Sequence, residues 1–297
     1  MAVERGVIAP LLTPFNDDGS LALDLYTAHA RWLFEQGCAG IAPFGTTGEA
    51  LSVGIDERIT AIAALVDAGI DPARMIPGTG LSNVADTTRL SRACLDLGCT
   101  AVMTLPPFYY KGVTEDGLYA SFAELLASIG GLARIFLYHI PQIAVVGIPP
   151  TLVRRLHTDF PEQIVGIKDS SGDWDNTTAL LGIDGLIVYP GSELPLLDAL
   201  PLGAPGCISA TANLNAAAIA KVVALYDQGK IDAARVLHQE VQHFRRTVEP
   251  HSPIPAQKRL LAIATGDSRW ANVRPPLVVM PEEAGRELAA GLPPLTL

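Results

Sequence analysis

Eight short apolar runs, each closed by a turn and most followed by a stretch of helical periodicity, constrain the fold of this chain more than any other feature. The runs cover residues 7–12, 40–44, 75–78, 101–105, 134–138, 164–168, 186–189 and 206–209. Helical periodicity over 21–36, 56–68, 83–97, 115–129, 149–160 and 214–228 separates most of them. Strands apolar on both faces need cover on both faces, which parallel strands with crossover helices receive. The expected fold class is therefore α/β, a (β/α)8 TIM barrel over residues 1–229. A doubly wound open sheet is the other arrangement with this alternation, but no G-x-G-x-x-G follows a strand. After Gly229 the alternation stops. Helical periodicity over 231–248 carries Arg235, Arg245 and Arg246 on its polar side, Pro253 and Pro255 interrupt, and helices resume over 256–264 and 282–290. Residues 230–297 are expected to form a C-terminal helical extension packed on the barrel.

Charge narrows the function. A formal net charge of −10 offers no basic face for phosphates, so nucleic acid is not an expected partner. A small anion is not excluded, because a local field can oppose the global one. The opening Met-Ala-Val-Glu-Arg-Gly lacks the basic start and apolar core of a signal peptide, and no apolar run is long enough for a membrane helix. A cytoplasmic protein without membrane contact is expected. Cys38, Cys94, Cys99 and Cys207 form no C-x-x-C pair and read as small buried apolar residues. The histidines do not cluster with carboxylates at strand ends, so no metal is expected, and His238 and His243 are placed on the surface of the tail helix.

Barrel enzymes place their chemistry at the C-terminal ends of the strands. Lys168 ends the apolar run Ile164-Val165-Gly166-Ile167, where a long cation is costly unless used. An apolar wall favours the uncharged amine, a nucleophile towards a ketone. The iminium so formed is an electron sink for making or breaking carbon–carbon bonds. Position alone leaves a lysine that reaches for solvent, or pairs with Asp169, as an equal alternative. Tyr138 ends the neighbouring run and supplies a phenol that can move protons at the imine, with Thr46, Thr47 and Tyr110 as extensions of the relay. The turn Gly45-Thr46-Thr47-Gly48 offers backbone N–H groups to a carboxylate.

Together these residues resemble the dihydrodipicolinate synthase/N-acetylneuraminate lyase family of Schiff-base aldolases. The resemblance spans nearly the whole chain. It rests on Thr13-Pro14-Phe15, Gly45-Thr46-Thr47-Gly48-Glu49, Tyr109-Tyr110, Tyr138-His139-Ile140-Pro141, Gly166-Ile167-Lys168-Asp169-Ser170-Ser171-Gly172-Asp173, Ile208-Ser209-Ala210-Thr211-Ala212-Asn213, and Val248-Glu249-Pro250 followed by Pro253-Ile254-Pro255. It implies an imine between Lys168 and pyruvate or a related 2-oxo acid, with Tyr138 and Thr46 catalytic in proton transfer. It implies that Tyr110 reaches into a neighbouring protomer's site, within a dimer of dimers. Thr47, Gly48 and Ile208 are expected on the substrate side. His139 offers a hydrogen bond to a hydroxylated substrate, with packing as its other use. No cofactor is implied beyond the lysine imine.

One departure bears on the substrate. Synthases of this family continue from the strand-five tyrosine as Asn-Val-Pro-x-Arg-Thr, and that arginine holds a distal carboxylate. Here Ile143 stands in its place, and an isoleucine cannot make a bidentate charged contact. Ile55 and Arg58 likewise depart from the polar or histidine residues common at the lysine feedback site of synthases. The expected function is cleavage, formation or dehydration of a 2-keto-3-deoxy sugar acid. Condensation of pyruvate with aspartate semialdehyde is the alternative. A non-catalytic relative would be expected to have lost Lys168 or Tyr138, and both are present.

Overall fold

A computed structural model describes residues 5–131 and 133–295; residues 1–4, read above for targeting, lie outside them. In chain order the first elements are β1 (Gly6–Ala9), α1 (Leu23–Glu35), β2 (Gly40–Ile41), α2 (Ile55–Asp67), α3 (Val84–Asp96), β3 (Ala101–Thr104) and α4 (Glu115–Ile129). There follow β4 (Arg134–His139), α5 (Pro141–Ala144), α6 (Pro150–Asp159), β5 (Ile164–Asp169), α7 (Trp174–Leu181), β6 (Ile187–Pro190), α8 (Leu196–Ala199) and β7 (Gly206–Ile208). The last four are α9 (Ala212–Asp227), α10 (Ile231–Val248), α11 (Pro253–Thr265) and α12 (Glu282–Ala290). The described residues divide into two compact units, one of Arg5 and those within Asp71–Ile208, the other of Gly6–Ile70 and residues 209–295.

The first unit is built on a parallel sheet in the order β3-β4-β5-β6. The run at 75–78 contributes only a parallel bridge from Gly78 to Met103. Its Pro77 can accept from the Met103 N–H at 2.8 Å but has no N–H to donate, so a regular ladder cannot form there. Helices α3, α4 and α6 each turn an apolar stripe inward, through Leu90 and Cys94, Leu118 and Phe122, and Leu152 and Leu156. Asn83 and Thr114 cap α3 and α4 by accepting the N–H of Asp86 and Gly117. Helices α5, α7 and α8 have no counterpart in the sequence reading, being too short to show a repeating apolar face.

In the second unit β1 pairs in parallel with β2 through Ile8–Gly40 and Ala9–Ile41. The expected strand over 40–44 stops early because Pro43 has no N–H and Phe44 turns into the left-handed region at φ 56°. Helices α9 to α12 close a core in which Leu12 meets Leu214, Phe244, Val248, Leu260, Leu261 and Trp270. Three expectations change here. Pro253 and Pro255 do not interrupt a helix; they lie in the first turn of α11, where the N–H groups lack intrahelical partners anyway. His238 is buried rather than on the surface, because it falls on the inward stripe of α10 with Ala234 and Val241. The Arg245 side chain is only 15% exposed; it reaches Glu249 at 3.1 Å and the Ser209 hydroxyl at 3.3 Å. Cys38, Cys94, Cys99 and Cys207 are all buried and in no disulfide, and burial pushes the Cys99 thiol up to about 12.

Candidate active site

Strands β4 and β5 lie in a register that sets Tyr138 beside Lys168 and His139 beside Asp169. Side chains alternate across a sheet, so the first pair shares one face and the second pair the other. Both Lys168 and Tyr138 are 3% exposed. The Lys168 Nζ donates to the Tyr138 Oη at 3.3 Å and lies 4.4 Å from the centre of its ring. Lys168 also pairs in register with Tyr189 of β6, whose ring packs 6.0 Å from that of Phe136. Gly166, two residues before Lys168 and on its face, has no room for a side chain. A Cβ there would stand 2.5 Å from both the Ile187 carbonyl oxygen and the Phe136 ring.

The opposite face holds the strand ends. Asp169 is buried and accepts from the Ser171 N–H at 3.0 Å, the Asn176 amide at 3.1 Å and the Thr177 hydroxyl at 2.6 Å. Its carboxylate thus ties the loop after β5 to the start of α7, so it faces away from Lys168 and does not pair with it. His139 accepts the Ile148 N–H on Nδ1 at 2.8 Å. Burial holds its pKa below the usual value, with the charge of Asp169 opposing, which favours a neutral ring protonated on Nε2. His139 is therefore placed with the packing of the 145–148 segment, on the face away from Lys168.

Three further residues of this unit singled out above differ in exposure. Tyr110 is 71% exposed and rests edge-on against Tyr109, ring centres 5.6 Å apart. Ile143, on α5, is 58% exposed, and Ile208 ends β7 fully buried.

In the second unit Gly45 to Glu49 form a tight turn. Gly45 O accepts from the N–H of Gly48 at 3.1 Å, and Thr46 O accepts from that of Glu49 at 3.1 Å. Those two N–H groups are thus satisfied inside the turn, which shifts the expected carboxylate donors towards Thr46 and Thr47. Gly48 has a packing reason to be glycine: a Cβ would meet the Leu11 carbonyl oxygen at 2.7 Å. Thr13 Oγ1 donates to Gly48 O at 2.8 Å.

Sequence reasoning missed the groups behind this turn. Glu49 and Lys258, side chains 0% exposed, form an ion pair at 2.5 Å. The Arg274 N–H donates to Glu49 Oε2 at 3.0 Å, and the Arg274 guanidinium forks onto Glu57 at 2.6 and 2.8 Å. That fork holds the Glu57 carboxyl down at about 2. A usable signal was Lys258 itself, a cation two residues after Ala256 and two before Leu260, and on the buried side of α11 with both. Among the described residues no group of three or more His, Cys, Asp or Glu could hold a metal ion, and no helix is long and apolar enough to cross a membrane.

A buried lysine and phenol thus stand in register near the ends of adjoining parallel strands, and the class to which the chain belongs is that of aldol-type lyases. Residues 4–293 match the model of the dihydrodipicolinate synthetase family, and the chain belongs to that family. It is 35% identical to an "Uncharacterized DapA-like lyase" of Chloroflexus aurantiacus, over 98% of this chain and 96% of the relative. It is 31% identical to a 4-hydroxy-tetrahydrodipicolinate synthase of Saccharophagus degradans, over 85% and 86%. The crystal structure of dihydrodipicolinate synthase from Agrobacterium tumefaciens matches with a TM-score of 0.87 and 34% identity, over 96% of this chain and 97% of that one. The fold is accordingly the (β/α)8 barrel with a C-terminal helical extension.

Proposed function

We propose that the protein is a Schiff-base aldolase or dehydratase acting on a 2-keto-3-deoxy sugar acid, with Lys168 as the amine. The observation that carries this reading is the Lys168 Nζ–Tyr138 Oη contact of 3.3 Å. The free amine adds to the C2 carbonyl of the 2-oxo acid; the carbinolamine takes up a proton, loses water and leaves an iminium. In the cleavage direction the C4 hydroxyl gives up its proton, the C3–C4 bond breaks, and its electrons pass into the iminium to give an enamine and an aldehyde. Tyr138 is the group within reach to move these protons, and the family pattern assigns the onward hydroxyl to Thr46 and the carboxylate to the Thr46–Thr47 turn. No cofactor is needed for this chemistry, since the iminium supplies the electron sink.

The family pattern also makes Tyr110 a contribution to a neighbouring protomer's site, and its exposure on the surface suits that use. A homo-oligomer in the cytoplasm, with the barrel over 1–229 carrying the site, completes the proposal. Aspartate semialdehyde is the less favoured partner, because Ile143 offers nothing to a second carboxylate.

Pyruvate with borohydride, followed by mass mapping, tests the reading. The expected result is a reduced adduct on Lys168. A folded protein without one would sink the Schiff-base mechanism, and a panel of keto-deoxy acids and aldehydes run in both directions then ranks the substrates.

A further inference from the structure

The turn that carries Thr46 and Thr47 is bracketed by two residues that rarely adopt its backbone. Phe44 stands at φ 56° and Glu49 at φ 53°, both in the left-handed region and neither a glycine. Such conformations persist only where the surroundings over-determine them. At this turn the surroundings form a closed ring of hydrogen bonds. Glu49 Oε1 accepts from Lys258 Nζ at 2.5 Å, Lys258 Nζ also donates to Thr13 O at 2.8 Å, and Thr13 Oγ1 donates to Gly48 O at 2.8 Å. Gly48 and Glu49 are consecutive, so the ring closes on the turn itself. Arg274 adds a second donor to Glu49, and both Lys258 and Arg274 sit over the Phe15 ring, at 4.4 and 4.6 Å.

An ion pair this dry contributes little net stability compared with two well-packed apolar side chains. Burial in fact pulls the Lys258 pKa down to about 8, with Glu49 as the opposing influence. What the pair does supply is a fixed distance between α11 and the turn.

We infer that Lys258 and Glu49 are positioning residues, through which helix α11 of the C-terminal extension holds the 44–49 turn in the shape that receives a carboxylate. The carboxylate rests on the reading of Thr46 and Thr47 proposed above; the grip on the turn does not. The extension thereby acts on the reaction's first binding step without touching substrate.

The double variant Glu49→Gln/Lys258→Met tests this, since removing both charges leaves no stranded ion in the interior. Two readouts are compared with the wild-type chain. Deuterium exchange of the 44–52 backbone is expected to accelerate at least about tenfold, with strands β3 to β6 unchanged. In borohydride trapping, the pyruvate concentration for half-maximal labelling of Lys168 is expected to rise at least about tenfold, while labelling at saturation stays within about twofold. A folded variant with wild-type exchange overturns the inference, and so does faster exchange with an unchanged half-maximal concentration, which would make the pair structural only. Should the double variant fail to fold, Glu49→Asp replaces it, keeping the charge but shortening its reach, with the same expected directions. A wild-type chain that traps no pyruvate overturns the Schiff-base reading instead; the exchange comparison uses no substrate and still decides whether the pair holds the turn.

Discussion

Lys168 and Tyr138 face each other, Nζ to Oη at 3.3 Å, because two parallel strands hold them in direct register with neither side chain open to solvent. The phenol is thus fixed by backbone pairing, with its hydroxyl turned to the amine. Tyr138→Phe keeps the ring that packs 4.4 Å from the Lys168 Nζ and removes only the hydroxyl. It should lower kcat by roughly 10²–10⁴ with the denaturation midpoint nearly unchanged. Lys168→Ala should abolish borohydride trapping altogether. A Tyr138→Phe enzyme turning over at the wild-type rate would remove the phenol from the mechanism.

These two residues were legible in the sequence because each ends an apolar run, and the period of two fixes which neighbour shares its face. The same logic, followed one residue further, places His139 and Asp169 on the opposite face. The Glu49–Lys258 pair was not legible in this way. Its members are 209 residues apart, and nothing local in either segment announces the other. Helix α7 was missed for a different reason: its eight residues make barely two turns, and its start is set by the Asp173 side chain accepting from Asp175 and Asn176 rather than by an apolar stripe. His238 was misplaced because a histidine in a charged helix looks solvated until the inward stripe is known.

Ile143 makes a prediction about the second substrate. Its side chain is apolar and exposed on the short helix after β4, at the position where the family resemblance implies an arginine in synthases. Condensation of pyruvate with aspartate semialdehyde should be slow beside that with uncharged hydroxyaldehydes. Ile143→Arg should raise kcat/KM for the semialdehyde by at least about tenfold, the effect of a bidentate carboxylate contact of roughly 1.5 kcal/mol or more. Efficient condensation by the wild-type enzyme would show that the second carboxylate is held elsewhere.

His29 sets a pH dependence of stability. Its ring is buried, packed against Trp32 at 5.4 Å and Trp270 at 5.0 Å, and its Nε2 meets Asn213 Oδ1 at 3.1 Å. The Asn213 amide nitrogen already donates to Pro10 O and Ala210 O, so Oδ1 is the acceptor and the proton sits on His29 Nε2. Burial holds the pKa at about 4 against an ordinary 6.5. The unfolded chain therefore binds the extra proton first as pH falls. The contribution of this neutral ring is complete above pH 6.5, declines between 6.5 and 4, and is level below; the whole span is about 3 kcal/mol. Urea midpoints of the wild type and His29→Gln, measured at pH 7 and pH 4.5, should converge at the lower pH. A constant gap between them would contradict the buried neutral ring.

Glycine at 166 and glycine at 117 should answer oppositely to the same change. At Gly166 an added Cβ meets the Ile187 carbonyl oxygen and the Phe136 ring, both at 2.5 Å, and a strand carbonyl cannot rotate away as a side-chain end can. The sheet must part or Phe136 must leave its rotamer, at a cost of about 1–3 kcal/mol. Because Gly166 lies two residues from Lys168, the shift also moves the amine relative to Tyr138, so kcat should fall together with the urea midpoint. At Gly117, inside the first turn of α4, the nearest atom to an added Cβ is the Thr114 Oγ1 at 3.4 Å, an ordinary contact. Alanine there removes backbone freedom from the unfolded chain and should stabilise by about 0.4–1 kcal/mol without touching activity. Urea titrations of the two variants side by side check the contrast. A Gly166→Ala protein as stable and as active as the wild type would mean that β5 and β6 are not packed as closely at Lys168 as the geometry requires.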